Sequence, residues 1–463
     1  MIMKRQNRVA FFNILSVVLL NGISIITAPL FSRILGDSGF GILKIYNIWA
    51  SVIAIVFTLQ TQGTLVNARV EYPEEHQKRY QSATMSLSLL LFLVCSGAVI
   101  LLMKPISGFL KLPPFLIILM LVQAFGTYCV NFLSTKYTYE FKAGRNMAIS
   151  LAVTVVTLVL SLVLILQMEY EVRYYGRAIA ISATYAIIGI PACIMILLQG
   201  RVFYHKEYWK FCVALAIPAV FHNLSDLILG QSDQVMLQQM LGEAAVGHYA
   251  LAWTLGNFLF IIFGALNRTW CPFFFEEMKE GKQEMMMGKT RNFLELFTIL
   301  ACGFMLLAPE VYHVYAPKDY WGSTSIIPLF VASYYINFLC TFPVNFEYYH
   351  KKTKVVATVT IFSSLLNVLL NYYLIRTIGM AGAALATALS HGIQLLLHHL
   401  YCRRLGQRSY PFPVKVWVKY ALCFFVVMAF VYLTQNFWLL RWGSGALLGI
   451  YELLQIKKRK VLI

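Results

Sequence analysis

The sequence has little charge. Charged residues make up 13% of its 463 residues, against roughly 25% in ordinary soluble domains. Hydrophobic residues reach 59%, and the mean hydropathy is +0.68. This composition excludes a typical soluble domain and predicts a polytopic membrane protein.

Motifs of metal sites and enzymes are also missing. The nine cysteines contain no CxxC pair, which argues against a disulfide framework or a structural zinc site. The sequence has no glycine-rich phosphate loop, metal-ligand cluster or nucleophile triad. We therefore predict a protein that is not an enzyme and has no cofactor, with H+ or Na+ left open as a coupling ion.

Long apolar runs occupy most of the chain. Each has about 17 to 25 residues, enough for a helix to cross ~30 Å of hydrocarbon. The runs lie at 10–34, 40–66, 81–103, 114–134, 147–167, 176–199, 210–236, 246–266, 293–316, 325–345, 354–374, 379–401, 416–434 and 437–455. They are continuous rather than alternating, so they predict an all-α protein with about 14 transmembrane helices rather than a barrel.

The positive charge is unevenly distributed between the loops. With the N-terminus inside the cell, 29 of the 38 lysines and arginines fall in cytoplasmic segments. Such a bias follows the positive-inside rule and predicts that both termini are cytoplasmic. The net charge of +18 thus mostly reflects the orientation of the chain in the membrane and does not indicate a nucleic-acid partner.

A hidden duplication divides the chain. Asn131-Phe132-Leu133 returns 206 residues later as Asn337-Phe338-Leu339, and glycines at 36 and 176 have counterparts at the same offset. Because the offset spans six helices, both copies enter the membrane from the same side, as in the parallel repeats of secondary transporters. We predict an N-lobe at 1–199 (TM1–6), a cytoplasmic inter-lobe loop at 200–209, a C-lobe at 210–402 (TM7–12) and a C-terminal helix pair at 403–463 (TM13–14).

The seventh span is unusually polar. His222, Asn223, Asp226 and Asp233 interrupt an otherwise apolar helix, and the spacing places the histidine and both aspartates on one stripe. Ionisable groups inside a membrane are costly, so the stripe is expected to face a partner or a wet cavity. It indicates a substrate or ion pathway, and a buried structural network is the alternative.

Neutral polar residues occur in the first two spans. Asn13, Asn21 and Ser24 share one sector of the first helix, while Gln60 and Gln62 lie near the inner end of the second. The polar face of the first helix suits a hydroxyl-rich cargo, and helix-to-helix hydrogen bonding is the alternative. We include all five in the predicted pathway.

Two arginines are candidates for contact with an anionic headgroup. Arg268 occupies the repeat position equivalent to Gln62, where its planar guanidinium could hold a phosphate. Arg33 precedes the first external turn. Snorkelling to the membrane interface is the alternative for both.

Four segments carry a family resemblance: Ser32-Arg33-Ile34-Leu35-Gly36 with Phe40-Gly41, Asp233 with Leu241–Tyr249, Lys351-Lys352-Thr353-Lys354, and Gly379–Ala386. Over residues 1 to about 402 the chain resembles the polysaccharide transporter family of the multidrug, oligosaccharidyl-lipid and polysaccharide exporter (MOP) superfamily, which includes the O-antigen and capsule repeat-unit flippases. The resemblance implies a V-shaped, MATE-like pair of six-helix lobes. It also implies alternating-access movement of an undecaprenyl-pyrophosphate-linked oligosaccharide from the inner to the outer leaflet of a bacterial cell membrane, for surface polysaccharide biosynthesis.

The resemblance also implies partners. These are the lipid-linked oligosaccharide and membrane lipids, with polysaccharide polymerase and glycosyltransferases left open. A cation-coupled multidrug or small-molecule exporter of the same superfamily is the alternative function, favoured by the acidic stripe. A membrane glycosyltransferase or polysaccharide polymerase is a third, but the external loops are too short for a catalytic domain.

Overall fold

The computed structural model describes the backbone of residues 2–140, 142–281, 283–406 and 414–459. Within these ranges the side chains of residues 25–457 are described, apart from 143, 265, 269, 283–285, 406 and 414. The described part of the chain is helical and contains no strand, which confirms the all-α prediction. Its helices are α1 (Ile2–Thr58), α2 (Leu65–Glu71), α3 (Glu74–Leu101), α4 (Met103–Leu110), α5 (Pro114–Tyr139), α6 (Ala143–Leu166), α7 (Arg173–Gly200), α8 (Lys206–Leu241), α9 (Glu243–Glu280), α10 (Gln283–Tyr315), α11 (Ile327–Tyr349), α12 (Thr353–Ile378), α13 (Met380–Gly406), α14 (Val414–Leu433) and α15 (Trp438–Arg459).

Twelve helical segments among the described residues are long and apolar enough to cross a membrane, so this is a multi-pass membrane protein. One of the twelve, Ile25–Thr58 within α1, covers parts of the first two predicted spans. Gly36, with φ 70° and ψ 179°, interrupts the helix between these two spans. This left-handed conformation favours glycine. The fourteenth predicted run forms α15, which is not one of the twelve.

The second predicted span, 40–66, was wrong at its inner end. The α-helix stops at Thr58, and Thr61–Thr64 form a 3-10 turn before α2 begins. The sequence gave little sign of this break, because Leu59 and Gln60, which leave the helix first, are neither proline nor glycine, and Gly63 lies in the 3-10 turn that follows.

The chain divides into two compact units, Met1–Gly247 and His248–Ile463. In the first unit α5 packs against α7, and α7 also packs against α3 and α6. Helix α8, predicted to open the C-lobe, packs on α1 and α3 in this unit. In the second unit α13 packs against α11 and α12, while α14 and α15 pack on α10.

A reciprocal contact within the first unit joins the residues that follow the first predicted span to those that follow the seventh. Gly242, the repeat counterpart of Gly36, has nearly the same backbone angles, with φ 92° and ψ 178°. A Cβ atom on Gly41 would lie 1.9 Å from the carbonyl oxygen of Glu243, and one on Gly247 would lie 2.2 Å from that of Asp37. Asp37 and Glu243 are 206 residues apart, as are Gly41 and Gly247, so the two segments contact each other through equivalent positions.

Two glutamates on α10 hold the C-terminal helix pair. Tyr420 of α14 and Tyr451 of α15 donate hydrogen bonds to Glu295, at 2.9 and 3.1 Å. Arg441 of α15, with only 1% of its surface accessible, pairs with Glu310 and also donates to the carbonyl oxygens of Thr434 and Gln435. The pair is therefore attached through polar as well as apolar contacts.

Candidate functional site

The break after α1 is a strained backbone segment. Leu59 and Gln60 both adopt left-handed conformations, with φ 53° and 43°, although neither is glycine. Each such residue costs of order 1–3 kcal/mol and persists only where the surroundings impose it. Broken membrane helices often mark substrate sites because their freed backbone groups need polar surroundings.

Buried hydroxyl groups impose the break. The Thr61 hydroxyl lies 2.8 Å from that of Ser88 on α3 and 2.7 Å from that of Tyr128 on α5. Ser88 in turn donates to the carbonyl oxygen of Thr58, at 2.7 Å. One turn further, Thr64 contacts the hydroxyl of Tyr80 at 2.7 Å. The network satisfies groups that a continuous helix would have bonded internally.

Helix α8 brings two predicted pathway residues together at this break. Asn223 donates a hydrogen bond to Gln60 Oε1, at 2.6 Å. One residue earlier, His222 Nε2 lies 3.5 Å from Asp226 Oδ2, and the two side chains are 74% and 56% accessible. The four-residue spacing on α8 thus produces a pair, as the helical arithmetic predicts.

The remaining predicted residues differ in burial and in position. Asp233 is buried and accepts a hydrogen bond from the backbone N–H of Gln234, at 2.8 Å. Gln62 lies in the 3-10 turn, and its buried Oε1 has no hydrogen-bond partner among the described residues. Arg33 on α1 is accessible, as is Arg268 on α9 in the second unit. The side chains of Asn13, Asn21 and Ser24 lie outside the described residues.

A basic cavity lies just beyond the break. Pro73 restricts the residue before it to extended backbone, and Tyr72 accordingly has φ −111° and ψ 143°. This turn separates α2 from α3, and Gln77 secures it by donating to the carbonyl oxygens of Ala68 and Tyr72 at 2.9 and 2.7 Å. The cavity has a volume of about 560 Å³ and is lined by Arg69, Tyr72, Glu74, Gln77, Lys78, Gln81, Glu140 and Lys142.

The cavity combines a positive balance with hydrogen-bond donors. Lys142 pairs with Glu140 at 2.5 Å, and Arg69 donates to the carbonyl oxygen of Tyr139. Lys78 is accessible and has no ion-pair partner among the described residues. Burial, with the Glu71 carboxylate adding to it, raises the pKa of Tyr72, so its hydroxyl stays protonated. Such a lining can bind an anion of phosphate type.

Sequence reasoning missed this cavity. It counted Arg69, Lys78 and Lys142 only as charges that set the membrane topology, because Lys142 lies far along the chain from the other two. The Tyr72-Pro73 turn was the available signal, since it reverses the chain between two basic segments. Among the described residues, no three His, Cys, Asp or Glu side chains come together as a metal site.

Two curated proteins of Haemophilus influenzae (strain Rd) are similar to part of the chain. An "Uncharacterized membrane protein" is 23% identical over 173 residues, 36% of this chain and 43% of that protein. The "Lsg locus putative protein 1" is 24% identical over 161 residues, 34% of this chain and 40% of that protein. The matches thus span less than half the length of these relatives.

Solved structures share the fold. A lipid II flippase MurJ in an inward closed conformation matches with a TM-score of 0.70 at 15% identity, covering 98% of this chain and 99% of that one. An inward-facing multidrug resistance MATE family transporter of the MOP superfamily matches with a TM-score of 0.64 at 14% identity, covering 83% and 93%. The MATE-like fold predicted from the sequence is confirmed.

The family is shown by the sequence itself. Residues 8–278, more than half of the chain, match the family described as "Polysaccharide biosynthesis protein". This agrees with the family expected from the motifs after the first and seventh spans. The chain belongs to the polysaccharide biosynthesis protein family.

Proposed function

We propose that this protein is an alternating-access flippase that moves an undecaprenyl-pyrophosphate-linked oligosaccharide repeat unit from the inner to the outer leaflet. The observation that carries the proposal is the basic cavity of the first unit, in a chain of the polysaccharide biosynthesis family. The product would serve surface polysaccharide biosynthesis, such as that of O-antigen or capsule.

The lining of the basic cavity suits a phosphate-bearing headgroup. Arg69, Lys78 and Lys142 supply positive charge, and Tyr72, Gln77 and Gln81 supply neutral polar groups for sugar hydroxyls. A volume of about 560 Å³ lies within the range of roughly 300–1,000 Å³ typical of small-molecule sites. It fits a pyrophosphate with its first sugar better than a whole repeat unit.

The position of the cavity suits the inner leaflet. The positive-inside bias puts Arg69, Lys78 and Lys142 on the cytoplasmic side of the membrane. We therefore propose a bacterial inner-membrane location with both termini cytoplasmic. The headgroup would enter here while its lipid tail stays in the hydrocarbon, and the polar break at Gln60 and Asn223 would be the next contact toward the outside.

A cation-coupled multidrug exporter is the second candidate, and one pair of residues favours it. His222 and Asp226 place a carboxylate and an imidazole within 3.5 Å on an apolar helix, which suits a proton or an organic cation. The lining of the 560 Å³ cavity has three basic groups against two carboxylates, so its charge favours an anionic over a cationic cargo.

Reconstitution distinguishes the two functions. We expect purified protein in liposomes to move a fluorescent undecaprenyl-pyrophosphate-linked oligosaccharide between leaflets, measured as protein-dependent loss of the inner-leaflet signal. Protein-free liposomes and liposomes with heat-inactivated protein are the controls. Transport of an organic cation against a gradient, with no movement of the glycolipid, would show that the exporter function is correct.

The acidic group on α8 provides a separate prediction. Asp226→Asn is expected to impair transport while expression and Tm stay at wild-type levels, because the carboxylate is accessible and, among the described residues, pairs only with His222. Ser225→Ala, a neighbouring change on the same helix, is the matched control. Wild-type transport by Asp226→Asn would mean that the His222–Asp226 pair has no part in the pathway.

A further inference from the structure

A second polar cavity lies in the first unit and shares no lining residue with the break or with the basic cavity. Its volume is about 320 Å³, and it is lined by both halves of α1, by α5, by α6 and by α7. Its polar lining includes Asn47, Gln123, Thr154, Thr157, Arg177 and Tyr185. The proposed transport function uses none of these residues.

Arg177 is the only charged residue in this lining. Its guanidinium lies 3.9 Å from the centre of the Phe31 ring, and Nη1 donates to Ser161 Oγ at 2.5 Å. A longer contact of 3.5 Å joins Nη1 to the Thr157 carbonyl oxygen. Since a guanidinium carries five N–H donors, these contacts leave the donors on Nε and Nη2 available.

No carboxylate balances Arg177. Among the described residues it forms no ion pair. The sequence explains why: α1, α5, α6 and α7 together contain a single acidic residue, Asp37, in the turn after Gly36. An ionisable residue inside a membrane segment normally has a partner or faces water.

Other groups in the cavity also lack partners. The buried Oγ1 of Thr157 and Oε1 of Gln123 have no hydrogen-bond partner among the described residues. Gln123 is held in place through its Nε2, which donates to Asn47 Oδ1 at 3.1 Å. The Thr157 hydroxyl can rotate its hydrogen toward a bound ion, as can that of Tyr185. The cavity therefore offers one cation and two hydroxyl donors.

We propose that this cavity is a binding site for a small monovalent inorganic anion of halide type. One guanidinium matches one negative charge, and a phosphate dianion would leave charge uncompensated. The volume equals about ten waters at ~30 Å³ each, so a hydrated halide fits with several waters. A sugar phosphate is disfavoured by its second negative charge, which Arg177 alone would leave uncompensated. The site is separate from the basic cavity, so its occupancy does not depend on the proposed cargo.

The test measures thermal unfolding of the full-length protein in detergent, at constant sodium and ionic strength. Chloride and bromide are the probes, and gluconate is the large reference anion. We expect chloride to raise Tm saturably by about 2–4 °C over gluconate, and Arg177→Gln to abolish this rise. Arg376→Gln is the matched control, because Arg376 also stacks on an aromatic ring, Tyr372 at 4.0 Å, but lies outside the cavity.

Two further measurements decide the question where Arg177→Gln does not fold. Thr157→Val and Tyr185→Phe each remove a hydroxyl donor and are expected to weaken the apparent chloride affinity severalfold. Crystals grown in bromide are expected to show anomalous density beside the Arg177 guanidinium. Equal Tm values in chloride and gluconate for the wild type, an undiminished chloride effect in the cavity variants, or no bromide at Arg177 would overturn the proposal.

Discussion

Gly41→Ala is expected to lower the Tm of the full-length protein by about 5–10 °C, or to prevent its folding. The added methyl group would lie 1.9 Å from the Glu243 carbonyl oxygen and 2.8 Å from its carbonyl carbon. Both are backbone atoms, so no side chain can move aside, and the two helix starts must separate. Gly247→Ala should act similarly through the Asp37 carbonyl oxygen, at 2.2 Å.

Gly97→Ala is the matched control for the glycine contact. Gly97 lies inside α3, and a Cβ atom there would have no neighbour within 4 Å. Alanine is the better helix former, so this variant should be as stable as the wild type or slightly more stable. The measurement is thermal unfolding followed by size-exclusion chromatography. Wild-type Tm values for both Gly41→Ala and Gly247→Ala would show that the repeats do not meet through these glycines.

Glu310→Leu is the second change with a large expected effect. It would leave the Arg441 guanidinium, 1% accessible, without its carboxylate partner. Removing one member of a buried pair typically costs roughly 3–5 kcal/mol, because the other charge stays buried and unbalanced. We expect a lower Tm and faster proteolysis in α14 and α15, since this pair helps attach α15 to α10.

The double variant Glu310→Leu/Arg441→Met separates two contributions to the lost stability: the missing ion pair and the cost of a buried charge without a partner. Because it removes both charges, it should recover much of the stability lost in Glu310→Leu. Thermal unfolding of Glu310→Leu, of Arg441→Met and of the double variant completes a double-mutant cycle, which gives the interaction energy of the pair. If Glu310→Leu alone unfolds at the wild-type temperature, the contact does not hold the C-terminal pair.

Much of the fold could be predicted because the membrane limits the possible structures. Continuous apolar runs of sufficient length can only be satisfied as helices, so the helical elements follow from the sequence. The left-handed backbone at Gly36 and at Gly242 occurs at glycines that lie at the repeat offset, so the sequence marks both positions. The break at Leu59 and Gln60 could not be predicted, because contacts with Ser88 and Tyr128, distant in sequence, impose it.

The candidate site was predictable only where it depends on local spacing. The His222–Asp226 pair follows from helical periodicity on a single element. The buried position of Asp233 depends on packing, which periodicity does not specify. The basic cavity was missed because it joins Arg69 and Lys78 to Lys142, on a segment about sixty residues further along the chain.

The most direct test of the account is the rate of glycolipid flipping by a variant of the basic cavity. Arg69→Gln/Lys78→Gln/Lys142→Gln removes its positive charge, and Arg79→Gln is the control because Arg79 neighbours Lys78 but does not line the cavity. In liposomes containing undecaprenyl-pyrophosphate-linked oligosaccharide, we predict at least a roughly tenfold slower rate for the triple variant, from the loss of charge-assisted hydrogen bonds. The control should keep the wild-type rate. Equal rates for the triple variant and the wild type would contradict the assignment of this cavity to the lipid-linked headgroup.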